Sequence, residues 1–202
     1  MINFSKENLI IHEHIKSFCS VRDLKLEIIA KPDWRSMIEE HRTLIRKGII
    51  EKYNHYVSDS SAFLNLNIVP KLNENFVSIS HSNDAGGFVF ANYPVGFDLI
   101  EQRRLNKNVV QRICKPGEIE RSPNPFYIWP AKEAVFKACS EQLTVVTEFE
   151  VGSWEKLNDD FFTFNMIRTR AQQQTFDLMN SRQINRGYVF RIAEVLYGIY
   201  FR

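Results

Sequence analysis

The sequence predicts an α+β fold with mostly antiparallel pairing. Three observations predict it: a run of short apolar strands over residues 76–100, one strong helix over 129–143, and a second set of strands between 144 and 199. The chain has 202 residues, enough for one domain or two tightly packed halves with a sizeable core, and sixteen Phe make that core Phe-rich.

The elements follow in order. Asn8–Ile11 is apolar, and Leu24–Ile29 alternates well enough for a strand. Pro32-Asp33-Trp34 opens a helix with Asp33 as its cap. Met37, His41, Leu44 and Ile45 fall at helical spacing behind it, and Gly48 ends it after Lys47. Tyr53 to Leu72 is mixed, with a turn at Ser58–Ser61. Phe76–Ser80 reads as a strand, Asp84–Gly87 as a tight turn, and Phe88–Ala91 as the returning strand. After a turn at Asn92–Pro94, Val95–Ile100 completes a three-stranded meander.

Helical spacing resumes at Val109–Ile113. Cys114–Gly117 breaks it, and so does Ser122–Pro125. Trp129–Leu143 is the strongest helix: Trp129, Phe136 and Cys139 fall close to one stripe, and Ala131, Ala134 and Ala138 favour helix. Strands are expected at Thr144–Val151, Phe161–Arg168 and Tyr188–Ile199, although Ile192–Leu196 also fits a helix. Ala171–Ser181 fits helix or loop.

Composition excludes several classes. Lys+Arg is 26 and Asp+Glu is 24, and this near balance supports neither a nucleic-acid coat nor a polybasic membrane patch. Cys19, Cys114 and Cys139 are odd in number and far apart, which argues against a disulfide scaffold or structural zinc. The N-terminus lacks the apolar core of a signal peptide, and no run approaches the ~18 apolar residues of a membrane span. The expectation is a cytoplasmic protein with no membrane or nucleic-acid partner.

Three places carry candidate chemistry. Asp98 ends an apolar strand. A lone Asp there commonly caps a turn, yet it also suits a hard cation, since Mg²⁺ takes one or two carboxylates plus phosphate oxygens. Glu133 and Lys137 are spaced i,i+4, either as a surface ion pair worth ~0.3–0.5 kcal/mol or as a metal ligand or base beside a phosphate-holding lysine. Lys132 points elsewhere on that helix. His81 follows a strand within Ser78-Ile79-Ser80-His81-Ser82. It is either a turn residue or a phosphate contact beside the Ser80 and Ser82 hydroxyls.

Their order says more than any one of them. S-x-S-H-S, then G-F-D-L-I-E, then W-P-A-K-E-A-V-F-K resembles the 4′-phosphopantetheinyl transferase superfamily, with its Ser-His element, G-x-D strand and W-x-x-K-E-A-x-x-K helix. All three elements lie between residues 76 and 138. The resemblance implies a phosphopantetheinyl transferase-like fold: an antiparallel sheet packed with a long helix, in two pseudo-symmetric halves. The divergent half would be 1–85, and 86–202 would carry the G-x-D and K-E-A-x-x-K elements. The implied reaction moves the phosphopantetheine arm of coenzyme A onto a serine of an apo acyl or peptidyl carrier protein, as in fatty acid, polyketide or peptide synthesis. It releases adenosine 3′,5′-bisphosphate. By likeness Asp98 and Glu133 bind Mg²⁺, with Mn²⁺ as an acceptable substitute. Lys137 touches the phosphates, Lys132 helps hold the nucleotide, and His81 with Ser80 contacts the coenzyme A phosphates. The proton acceptor is either Glu133 or a water on the metal.

One departure stands out. Long members of the superfamily read G-x-D-x-E, whereas this chain has Ile100 there and Glu101 one residue later, facing away from Asp98. That pattern is closer to the short holo-acyl-carrier-protein synthase branch and leaves room for a relative that binds coenzyme A or a carrier without transfer. Glu118 is read as an exposed turn acid, with a further ligand or base as the sharper alternative. Arg103, Arg104, Lys107 and Arg112 form a basic cluster, either a solvated helix face or a dock for an acidic partner. Trp129 is expected in the core.

Overall fold

The computed structural model describes residues 25–30, 38–66, 71–73, 75–82, 85–139, 145–167 and 185–202. The predicted Asn8–Ile11 segment, the Asp33 cap and the Ala171–Ser181 segment lie outside them. The chain divides into two compact units after Pro94.

The first unit contains β1 (Lys25–Ala30), α1 (Ile38–Tyr53), α2 (Ser60–Leu64), β2 (Lys71–Leu72), β3 (Asn75–His81) and β4 (Ala85–Ala91). Its sheet has the order β1-β4-β3-β2, antiparallel throughout. His41, Ile45 and Ile49 sit one helical turn apart on α1 and are buried. They give α1 its inward stripe, and Ile45 and Ile49 join Phe63, Leu72, Val77, Phe88 and Phe90 in one core cluster. Phe88 and Phe90, two apart on β4, share a face and stack, with Tyr53 edge-on to both. Asp59 caps α2 by accepting from the Ser61 and Ala62 amides. The buried Arg46 guanidinium donates to the Phe63 and Asn65 carbonyls that end α2.

Two expectations are corrected in this unit. Gly48 does not end α1, because the next turn brings Ile49 into the core and packing outweighs the weak helix propensity of one glycine. Gly86 and Gly87 do not form a turn. They are central in β4, paired with His81 and Ser80 on one side and with Ile29 and Ile28 on the other. That double pairing places β4 wholly in the first unit, which ends at Pro94.

The second unit contains β5 (Val95–Glu101), α3 (Lys107–Ile113), α4 (Glu118–Arg121), α5 (Ile128–Ala138), β6 (Glu150–Asn158), β7 (Phe161–Ile167), β8 (Arg186–Ile192) and β9 (Val195–Phe201). Its five strands run in the order β5-β9-β8-β7-β6, again all antiparallel. The predicted meander is therefore wrong: its third strand pairs with β9 near the C-terminus, not with its sequence neighbour. The run 188–199 is a hairpin rather than one strand or a helix. It turns at Ala193, whose φ of 51° is left-handed. Of the strand expected over Thr144–Val151, Thr144 lies outside the described residues, 145–149 form turns and bends, and the strand starts at Glu150.

Helix α5 packs against β5, β8 and β9. Its buried face is Ile128, Ala131, Lys132, Ala134, Val135 and Ala138. Of the expected stripe, Cys139 is buried in the same core, but the inward face of the helix is rotated from Trp129 and Phe136. Trp129 and Phe136 lie half-buried at its border.

Candidate active site

The site begins with two glycines. A Cβ at Gly96 would lie 1.8 Å from the Ala134 carbonyl oxygen, and one at Gly198 would lie 2.1 Å from that of Pro130. Side chains at either position would push α5 off the sheet, so glycine lets helix backbone rest on strand backbone. Gly198 is the register partner of Asp98. Gly96 precedes Asp98 by two, so Asp98 shares the face on which α5 lies.

Lys137 closes this contact. Its Nζ donates to Asp98 Oδ1 at 2.7 Å and to the Phe97 carbonyl at 3.0 Å. Asp98 is 7% exposed. Glu133 stands one turn before Lys137 on the same helix face and is half-buried. Burial, and after it the Asp98 charge, raise the pKa of Glu133, while Lys137 lowers it. The three side chains therefore share one local field, and the surface-pair alternative for Glu133 and Lys137 gives way to a cross-element arrangement.

The position two residues after Asp98 holds Ile100, half-buried against the core of the unit. Glu101 is buried and accepts from Arg103 at 2.8 Å.

Lys132 corrects the nucleotide-holding role implied for it. Lys132 and Glu118 both have 0% side-chain exposure and pair at 3.0 Å. The Lys132 ammonium also donates to the carbonyls of Ile113, Val146 and Phe149. Glu118, Ile113 and Phe149 are buried and Val146 is half-buried, so these partners engage all of the ammonium within the protein. The expected exposed turn acid, Glu118, is corrected as well, since its other oxygen contacts are the Lys115 and Val151 amides. Burial lowers the Lys132 pKa, and Glu118 opposes that shift. Cys114 lies beside this pair, and burial first, then Glu118, push its thiol up to about 11, which leaves it a poor nucleophile.

Ser80 and His81 lie at the end of β3 in the first unit, paired with Gly87 and Gly86. Ser80 is buried. His81 packs edge-on against His41 with ring centroids 5.9 Å apart. The Ser82 hydroxyl donates to the Ala85 carbonyl and accepts from the Ala85 amide.

Among the described residues, no group of three or more His, Cys, Asp and Glu gathers as a metal site. The Asp98 and Glu133 carboxylates nevertheless fit Mg²⁺, which takes one or two protein carboxylates and completes its shell with water and substrate phosphate. Two hard oxygen donors in one field, one of them with raised proton affinity, are what a cation stabilises.

Residues 94–193 match the family model of the 4′-phosphopantetheinyl transferase superfamily. The chain carries a domain of that superfamily. Comparison with curated proteins gives no match. The matched segment holds Asp98, Glu118, Lys132, Glu133 and Lys137, while Ser80 and His81 precede it. Transferases of this superfamily use coenzyme A, generally with a divalent metal, and act on carrier proteins. The match stops at the β8–β9 turn, so Gly198, which seats α5 beside Asp98, lies outside it. Sequence reasoning missed Gly198 because an isolated glycine in an apolar strand carries no signal of what approaches it. Glu118 had a signal, its place in a K-P-G-E turn, but not of its buried partner.

Proposed function

We propose that the chain transfers the 4′-phosphopantetheine arm of coenzyme A to a serine of an apo carrier protein, in a Mg²⁺-dependent reaction that releases adenosine 3′,5′-bisphosphate. The observation that carries this reading is the convergence of Asp98, Glu133 and Lys137 where α5 crosses β5. Asp98 and Glu133 would hold the metal, which supplies charge neutralisation on the diphosphate. Lys137, bonded to Asp98 without ligand, would turn toward a phosphate oxygen. The serine oxygen attacks the phosphorus bearing the pantetheine arm, and the bond to the departing bisphosphate breaks. Glu133, or a water on the metal, would take the serine proton. Ser80 and His81 would contact the phosphates of coenzyme A. A cytoplasmic setting agrees with the cysteine usage, and none of the described helices is long and apolar enough to cross a membrane.

The carrier would dock on the basic face that follows β5. Arg104, Lys107 and Arg112 are exposed, and none forms an ion pair among the described residues. Residues 102–117 contain no acid. Such a face complements an acidic carrier surface.

The test is the mass of an apo acyl or peptidyl carrier after incubation with coenzyme A and Mg²⁺. A gain of one phosphopantetheine arm is expected. Asp98→Ala and Glu133→Ala should each reduce the rate by about a hundredfold or more while still melting cooperatively. Full activity in both would overturn the assignment. One observation favours a second reading, a relative that binds without transfer: apolar Ile100 stands where long members carry an acid. Coenzyme A binding with no gain on any carrier would support it.

A further inference from the structure

We propose that the buried Lys132–Glu118 pair is a positioning device: it sets the rotation of α5 about its own axis and thereby holds the Glu133 carboxyl beside Asp98. The inference rests on the assignment of Glu133 to the transfer site.

The pair is expensive as mere filling. Two charges with 0% side-chain exposure lose their hydration, and apolar residues of similar volume are often as stabilising or more so. What the charges add is direction. The Lys132 ammonium joins α5 to the end of α3 through the Ile113 carbonyl, to the start of α4 through Glu118, and to the turns before β6 through the Val146 and Phe149 carbonyls. Glu118 in turn accepts from the Val151 amide of β6. Three segments thus converge on the side chain immediately preceding Glu133, and a fourth, β6, joins through Glu118.

On the other side, α5 is held by Lys137, which bonds Asp98 and the Phe97 carbonyl on β5. Successive helical residues turn by about 100°. Lys132 and Lys137 therefore leave the helix about 140° apart, with Glu133 on the arc between them. Two tethers in different directions fix rotation, which one tether and the smooth alanine face of α5 would not. Gly96 and Gly198 set how close the helix lies, and the lysines set which way it faces. A rotation of one residue's worth would carry Glu133 away from Asp98.

The test uses the full chain with Glu118→Asp, which withdraws the carboxylate by one methylene yet keeps a counter-charge for Lys132. The double variant Lys132→Met/Glu118→Leu removes both charges. Melting curves identify a temperature at which each is folded. At that temperature Mn²⁺ binding in the presence of coenzyme A is titrated by electron paramagnetic resonance, and crystal structures report whether Lys137 still bonds Asp98. We expect Mn²⁺ affinity to fall about tenfold or more, as for other supporting residues around metal ligands, and the Lys137–Asp98 contact to be lost or lengthened. Variants that melt lower yet keep wild-type Mn²⁺ affinity and that contact would overturn the inference. So would failure of both variants to fold, since the pair would then serve the fold alone. If the wild-type chain modifies no carrier and binds no Mn²⁺, the transfer reading falls, while the crystallographic contact still decides whether the pair orients α5.

Discussion

At the residue scale, the position of Glu133 sets a conflict between stability and chemistry. Its folded pKa is raised above the ordinary glutamate value of 4.5, first by burial and then by Asp98. A carboxyl of this kind favours the folded state while protonated. That contribution is fully present below the unfolded pKa and is lost as pH rises through the folded one. Above that raised pKa the ligand-free protein carries an unfavourable charge. Glu133→Gln should raise the melting temperature at pH 7, and the gain should shrink as pH falls through the raised folded pKa and be gone below the unfolded value of about 4.5. Calorimetry at the two pH values checks this, and a variant less stable than wild type at pH 7 would contradict it. Asp98, Glu133 and Lys137 were all legible as candidates in the sequence, because their residue types and spacing carry the chemistry. Lys132 was misread because nothing in K-E-A-V-F-K says which of its lysines faces inward.

At the scale of elements, glycine acts in opposite ways in two helical contacts. Gly48 lies within α1 with open space where a Cβ would go. Gly48→Ala should therefore stabilise the protein by about 0.5–1 kcal/mol through helix propensity and a less flexible unfolded chain. Gly96→Ala would instead drive a methyl into the backbone of α5. A loss of about 1–3 kcal/mol is expected from overpacking, with Mg²⁺-dependent activity falling further because Asp98 and Lys137 are parted. Denaturant unfolding of both variants measures the two signs, and equal effects would refute the contact. Much of the strand and helix content followed from periodicity. The errors lay in pairing: Val95–Glu101 joins β9 and not its neighbour β4, which no local pattern records.

At the scale of the whole molecule, ligand binding should appear in stability. A ligand at about a hundred times its dissociation constant adds about 2.7 kcal/mol to the folded state. For a chain of this size that is a rise of about 5–11 °C in melting temperature. Coenzyme A with Mg²⁺ should give such a rise, coenzyme A with a chelator much less, and Asp98→Ala little in either case. A shift that ignores the metal would separate nucleotide binding from Asp98 and Glu133. The α+β class, the helix around residue 133 and the identity of the acids and lysines were determined by the sequence alone, since periodicity and residue chemistry are local properties. Which strands pair, where the units divide, and which lysine bonds Asp98 while the other is buried with Glu118 were decided by tertiary structure. Those outcomes depend on backbone approach and desolvation between segments far apart in the chain, and neither quantity is written in any one of them.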